Sequence, residues 1–153
     1  MEVTTRPLKD ARQTGRLMHK MVNKYCLDMS PYASMSLNEV FDFVKKIPFQ
    51  PDPAMIELLK RPYYTIQGIG EGGDCDDKAI VMASWAKLNS IPYRFIGVGC
   101  RKPGQKKNAK ILLSHVFTQF YILGEWLNVD ATYSYNKLGS VLGGYDRIEV
   151  LNA

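Results

Sequence analysis

Between Gly68 and Asn89 the chain reads GIGEGGDCDDKAIVMASWAKLN, and no other stretch constrains the fold as strongly. Glycines at 68, 70, 72 and 73 form a flexible approach to Asp74, a residue suited to cap a helix. A capping carboxylate accepts hydrogen bonds from the free N–H groups of a first helical turn, so the pattern predicts a helix from Cys75 to about Asn89. Ala79, Ile80, Ala83, Ala86 and Leu88 give that helix small and apolar faces on several sides, which places it centrally in a core. Ser90-Ile91-Pro92 breaks it. The fold must therefore be built around a buried helix with a cysteine at its first position.

Ahead of it the sequence reads as helical. Leu17, Met21 and Tyr25, beside Met18, Val22 and Cys26, recur at helical spacing over residues 10–27. Cys26 falls on that apolar stripe and reads as a packing residue, whereas His19 lies among basic residues and is expected in solvent. Ser36 with Glu39 matches a capping box, predicting a helix from Leu37 to Lys46 that buries Val40, Phe41 and Val44. Asp52-Pro53 reads as an N-cap followed by proline in the first turn, opening a short third helix through Ile56, Leu58 and Leu59 that stops before Pro62. Tyr63 to Gln67 reads as extended.

The second half reads as β: strands over 93–99, 112–122, 125–132 and 145–151, with a polar loop at 101–110 and a turn at Leu123-Gly124. Helices in front of an antiparallel sheet predict an α+β architecture. At 153 residues, one domain spanning 1–153 is expected, with a helical part over about 10–62 and a core over about 63–151.

The net charge of +5 is unevenly spread. Residues 1–24 carry +4 and residues 101–110 carry +5, which leaves the remainder at −4. That distribution argues against a chain-wide nucleic-acid-binding face. It leaves the basic loop 101–110 as a possible contact for an acidic partner. Three cysteines without CxxC spacing and only two histidines do not make a structural zinc site, so no metal and no cofactor is expected. The N-terminus lacks the apolar run of a secretory signal, and no apolar stretch reaches membrane-spanning length. A cytoplasmic location and no membrane partner are the expectations.

A helix N-terminus presents unpaired N–H groups and partial positive charge, which favours a thiolate at Cys75. Gly73 and its neighbours could let a substrate approach and leave N–H groups for an oxyanion. Asp74 caps, while Asp76 and Asp77 complement the helix dipole. Their charges also raise the thiol pKa, so a basic partner is needed. His115 meets that need. If Leu123-Gly124 is a two-residue hairpin turn, Phe117 faces Asp130, and His115 and Asp130 become diagonal neighbours on one sheet face. Cys75, His115 and Asp130 then have the composition of a triad in which an imidazole takes the thiol proton and a carboxylate orients the imidazole. The aspartates around Cys75 could also select a cationic or amine-bearing substrate.

The segments GGDCDDKAIVMASWAKLNSIPYRFIGVG and SHVFTQFYILGEWLNVDATY resemble the transglutaminase-like cysteine-enzyme superfamily, compact bacterial and phage-encoded members in particular. The matching features are a glycine-led cysteine heading a helix, Asn89-Ser90-Ile91-Pro92, a histidine-led strand, Gly124-Glu125-Trp126, and Asp130-Ala131-Thr132. The resemblance implies a papain-like α+β core with Cys75 as nucleophile, His115 as base and Asp130 as its orienter. It implies acyl transfer through a thioester, as a peptidase, amidase or crosslinking transglutaminase acting on a protein or peptide. By the same resemblance Gln67 becomes a candidate oxyanion residue. Trp126 reads as core or hairpin packing, and secondarily as a wall of the substrate site. The alternative is a catalytically silent member of the fold that binds through loop 101–110.

Overall fold

A computed structural model describes residues 3–7, 11–53, 56–67, 72–140 and 143–151. Strand β1 (Val3–Pro7) precedes helix α1 (Ala11–Tyr25), which sets Met18 and Val22 fully inside. The chain then tightens into a 3₁₀ segment, Cys26–Tyr32, that buries Met29 and leaves Cys26 half-buried. Helix α2 (Leu37–Lys45) begins with the expected capping box. Ser36 Oγ accepts from the Glu39 N–H at 3.2 Å, and Glu39 Oε1 accepts from the Ser36 N–H at 3.0 Å. Its buried face is Val40, Phe41 and Val44.

Two short elements differ from their sequence expectation. Residues 56–60 form strand β2 (Ile56–Lys60) instead of a third helix, because β1 runs antiparallel beside it. Asp52 caps no helix there; its carboxylate accepts the Leu58 N–H of β2 at 3.0 Å. Residues 62–67, expected to be extended, form helix α3 (Pro62–Gln67). Proline suits a first helical position, and the capping carboxylate comes from afar, with Asp28 accepting the Tyr63 N–H at 3.0 Å. Asp28 also takes two hydrogen bonds from the Arg61 guanidinium, at 2.8 and 2.6 Å. The glycines at 68 and 70 lie outside the described residues, as does part of the expected third helix.

Helix α4 (Cys75–Leu88) matches its expected span within a residue. Every position from Asp76 to Ala86 is buried. It lies on one face of a four-stranded antiparallel sheet ordered β5 (Glu125–Val129), β4 (His115–Ile122), β3 (Tyr93–Gly99), β6 (Arg147–Leu151). Ala79, Ile80 and Ala83 pack with Phe95 and Val116, while Val81, Met82 and Trp85 pack with Phe120 and Val129. Each fully buried side chain of this size contributes about 1.5–3 kcal/mol, so this seam fixes where the N-terminus of α4 sits.

Leu123 and Gly124 both have positive φ, 52° and 82°, as a two-residue primed turn requires. The register sets Ile122 opposite Glu125 and Thr118 opposite Val129. The strands are shorter than expected: β4 starts at His115, β5 ends at Val129 and β6 starts at Arg147. His19 is not in solvent. It stacks against Tyr93, meets Phe95 edge-on and hydrogen-bonds the Leu151 carbonyl at 3.1 Å, and burial lowers its pKa. No described helix is long and apolar enough to cross a membrane.

Candidate active site

The N-terminus of α4 is held by a reciprocal pair of carboxylates. Asp74 Oδ1 accepts the Asp77 N–H at 3.3 Å, and Asp77 Oδ2 accepts the Asp74 N–H at 3.2 Å. Asp77 Oδ1 also accepts the Lys60 N–H of β2 at 2.9 Å, so Asp77 faces inward. The two preceding glycines are packing residues. Gly72 has φ of 65°, and a side chain there would collide with the Pro48 carbonyl. A Cβ on Gly73 would sit 2.6 Å from that of Asp77. The Gly73 N–H donates to the Pro48 carbonyl at 3.1 Å, and the Gly73 carbonyl accepts the Gln50 N–H at 3.0 Å. Gly73 therefore has no N–H to offer an oxyanion, contrary to its sequence reading. The Cys75 N–H at this end is a first-turn amide and has no acceptor within the helix.

Cys75, His115 and Asp130 share a cleft of about 470 Å³. His115 Nε2 lies 2.7 Å from Asp130 Oδ2, across the β4–β5 pair. The Val116 N–H, one residue along β4, lies on the Cys75 side and favours its thiolate. Asp130 is itself fixed: its Oδ1 accepts the Thr132 N–H at 3.0 Å, and its carbonyl accepts Asn136 Nδ2 at 3.0 Å. With Nε2 engaged by Asp130, Nδ1 is the imidazole nitrogen outside that contact.

Burial pushes the Cys75 thiol well up, helped by the charges of Asp76 and Asp74; the Val116 N–H pulls the other way. The thiol lies 3.7 Å from Asp76 Oδ1. The thiolate expected from the helix end alone is thus opposed by desolvation and carboxylates. Burial, with Asp77 and Asp52 nearby, pushes Asp74 up to about 9. Burial pushes Asp77 up to about 7 against hydrogen bonds from Lys60 and Asp74.

Among the described residues the cleft is also lined by Phe49, Asp52, Tyr133, Tyr135 and Tyr145. Tyr133 stacks on His115 at 6.2 Å, on Phe49 at 5.5 Å and on Tyr135 at 5.3 Å. The sequence reading missed this aromatic wall. The alternating tyrosines of Thr132-Tyr133-Ser134-Tyr135, directly after Asp130, were its available signal. Asp52 lines the cleft beside Asp74 and is among the causes that push the Asp74 carboxyl up. Asp52, Asp74 and Asp76 bring oxygens within 4.8 Å of one another, and they are the described residues that could approach a cation.

Two candidates lie elsewhere. Gln67 is exposed at the end of α3 and does not line the cleft. Trp126, on β5, packs beside Tyr121 at 5.2 Å and under the Arg94 guanidinium at 4.1 Å, also away from the cleft. The charges of loop 101–110 are solvent-facing, with Lys102, Lys106, Lys107 and Lys110 exposed.

A family model described as the transglutaminase-like superfamily matches residues 21–131, well over half of the chain. A solved chain from Cytophaga hutchinsonii, named as a candidate cysteine protease, is 16% identical with a TM-score of 0.47. That match covers 87% of this chain and 50% of the other, so the chain spans about half that protein's length. A search of curated proteins gives no match.

Proposed function

The chain belongs to the transglutaminase-like superfamily, and from that footing we propose a cysteine-dependent acyl-transfer enzyme acting on an amide or ester of a protein or peptide. The observation that carries the proposal is the 2.7 Å contact of His115 with Asp130 in the cleft that also holds Cys75. His115 takes the thiol proton as Sγ bonds to the substrate carbonyl carbon. The carbonyl electron pair moves to oxygen, where the Cys75 N–H is the donor at hand. Collapse expels the amine or alcohol, which leaves with the proton from His115, and a thioester remains on Cys75. Water or a second amine then attacks that thioester, with His115 again as base. Asp130 holds the imidazole in one tautomer.

The test uses p-nitrophenyl acetate and intact-mass spectrometry. One acetyl group should appear on Cys75, vanish in Cys75→Ala, and form about 10²–10⁴-fold more slowly in His115→Ala. Addition of a primary amine separates the two fates: amide formation marks a transferase, and unchanged acetate release marks a hydrolase. The thiol pushed up by its surroundings gives one reason to keep a second reading, a silent fold that binds through loop 101–110. A parent chain that takes no acetyl group at Cys75 would establish that second reading over the first.

A further inference from the structure

Lys78 has 1% of its surface exposed, and it heads the largest fully buried side chains of the described residues. It stands one turn beyond Cys75 on α4. Removing an ammonium from water is costly, and an apolar residue of similar volume often replaces a buried charge without loss. One turn further on, Met82 fills its place with no exposure and no polar group. Packing alone would accept a methionine at 78 as well. The lysine is therefore retained for its nitrogen, and the position of that nitrogen is specific. Lys78 Nζ donates to the Thr132 carbonyl at 2.9 Å in a buried hydrogen bond. The Thr132 N–H donates to Asp130 Oδ1 at 3.0 Å, and Asp130 Oδ2 meets His115 Nε2 at 2.7 Å.

We propose that Lys78 is a positioning residue: its buried Nζ ties the helix carrying Cys75 to the 130–132 segment carrying Asp130, and so sets imidazole and thiol in register. The bridge adds a polar tie to two elements that apolar packing of α4 on the sheet also brings together. A second lysine supports the same segment from outside. Lys45 Nζ on α2 donates to the Asn136 carbonyl at 3.1 Å, and Asn136 Nδ2 holds the Asp130 carbonyl. The charged or titratable groups around this register are Asp130 and His115 from the sheet side, Asp74, Cys75 and Asp76 at the head of α4, Tyr133 beside His115, and Lys45 from α2. The proposal rests on the reading that Cys75 and His115 act together.

The experiment compares the parent with Lys78→Met, which removes the donor and the charge, and Lys78→Gln, which keeps a donor. Urea unfolding of each full-length chain separates misfolding from misplacement. Two readouts follow that a purely structural role would not move: the imidazole ¹⁵N shifts of His115 and the pH profile of Cys75 alkylation by iodoacetamide. In folded Lys78→Met the His115 shifts should lose the signature of an Nε2–H held by a carboxylate, and the His115-dependent alkylation rate should fall by about tenfold or more. Lys78→Gln should keep part of both. Coincident shifts and profiles in the parent and a folded Lys78→Met would overturn the proposal. Should Lys78→Met not fold, Lys78→Gln is read by the same criteria. On the parent itself, Lys78 ammonium protons should exchange slowly with water, and exchange as fast as that of exposed lysines would overturn the proposal without any variant. If His115→Ala leaves alkylation unchanged, the thiol–imidazole reading has failed; if only Lys78→Met leaves it unchanged, the bridge alone has failed.

Discussion

Burial, Asp76 and Asp74 push the Cys75 thiol up, which favours a mechanism in which a base removes its proton during attack. His115 is the group placed for that, with Nε2 committed to Asp130. Iodoacetamide labelling of Cys75 should therefore be slow at pH 6 and climb through the alkaline range. A rate at pH 6 equal to that at pH 9 would show a preformed thiolate instead. The carboxylate terms can be tested separately. Asp76→Asn removes the largest charge acting on the thiol, and nearby like charges shift a pKa by about 1–3 units. The labelling profile of that variant should move to lower pH by about one unit or more; an unmoved profile would remove the Asp76 charge from the causes. Asp77 is a poor choice for the same experiment. It accepts from Lys60 and Asp74 with different oxygens, so an amide would forfeit one bond.

Helix α4 carries its own pH dependence. The Asp74 and Asp77 carboxyls rise to about 9 and about 7, against an ordinary value of about 4. Both hold their proton more tightly in the folded chain than in the unfolded one. Stability is thus fully present below about pH 4 as far as these groups are concerned, and it declines as pH rises towards 7 and then 9. The urea midpoint should be higher at pH 5 than at pH 8. Asp74→Asn keeps a good N-cap and should flatten that slope; an unchanged slope would assign it elsewhere. Asp28 acts oppositely. Partial burial raises it, but the Arg61 hydrogen bond outweighs this and lowers it, so its contribution is lost as pH falls below about 4. Ser84, also on α4, buries a hydroxyl without a partner among the described residues, and Ser84→Ala should add about 1 kcal/mol in the same unfolding assay. The elements legible in the sequence were those whose signals are local: the Ser36–Glu39 box, the Asp74 cap, and the Leu123-Gly124 turn that sets His115 against Asp130. The β1–β2 pair and α3 depend on partners some 35 to 57 residues away, Asp28 for Tyr63 and Val3 for Lys60, and no local pattern announces them. Gly73 misled for a related reason, since its partner Pro48 comes from a separate loop.

Charge is partitioned across the whole molecule. The chain is +5, yet the described lining of the cleft carries Asp52, Asp74 and Asp130 and no lysine or arginine. Asp130 is engaged with His115, so the acidic pair that remains to meet a substrate is Asp52 with Asp74. Beside it stand the rings of Phe49, Tyr133 and Tyr135, of which Tyr135 is 75% exposed. Carboxylates beside aromatic faces attract organic cations. Peptides bearing lysine near the reacting carbonyl should therefore react faster than neutral analogues, and added salt should narrow the difference. Asp52→Asn should reduce the preference about three- to tenfold while leaving p-nitrophenyl acetate turnover near the parent value, because a neutral ester does not use that charge. Equal rates for cationic and neutral peptides in the parent would remove the selectivity argument. Loop 101–110 offers the complementary test at longer range. Replacing Lys102, Lys106 and Lys107 by glutamate leaves the cleft lining intact, so acetyl transfer to Cys75 should hold. Capture of acidic proteins at low ionic strength should be lost if the loop is their contact, and it should persist unchanged if these lysines are no more than solvated surface.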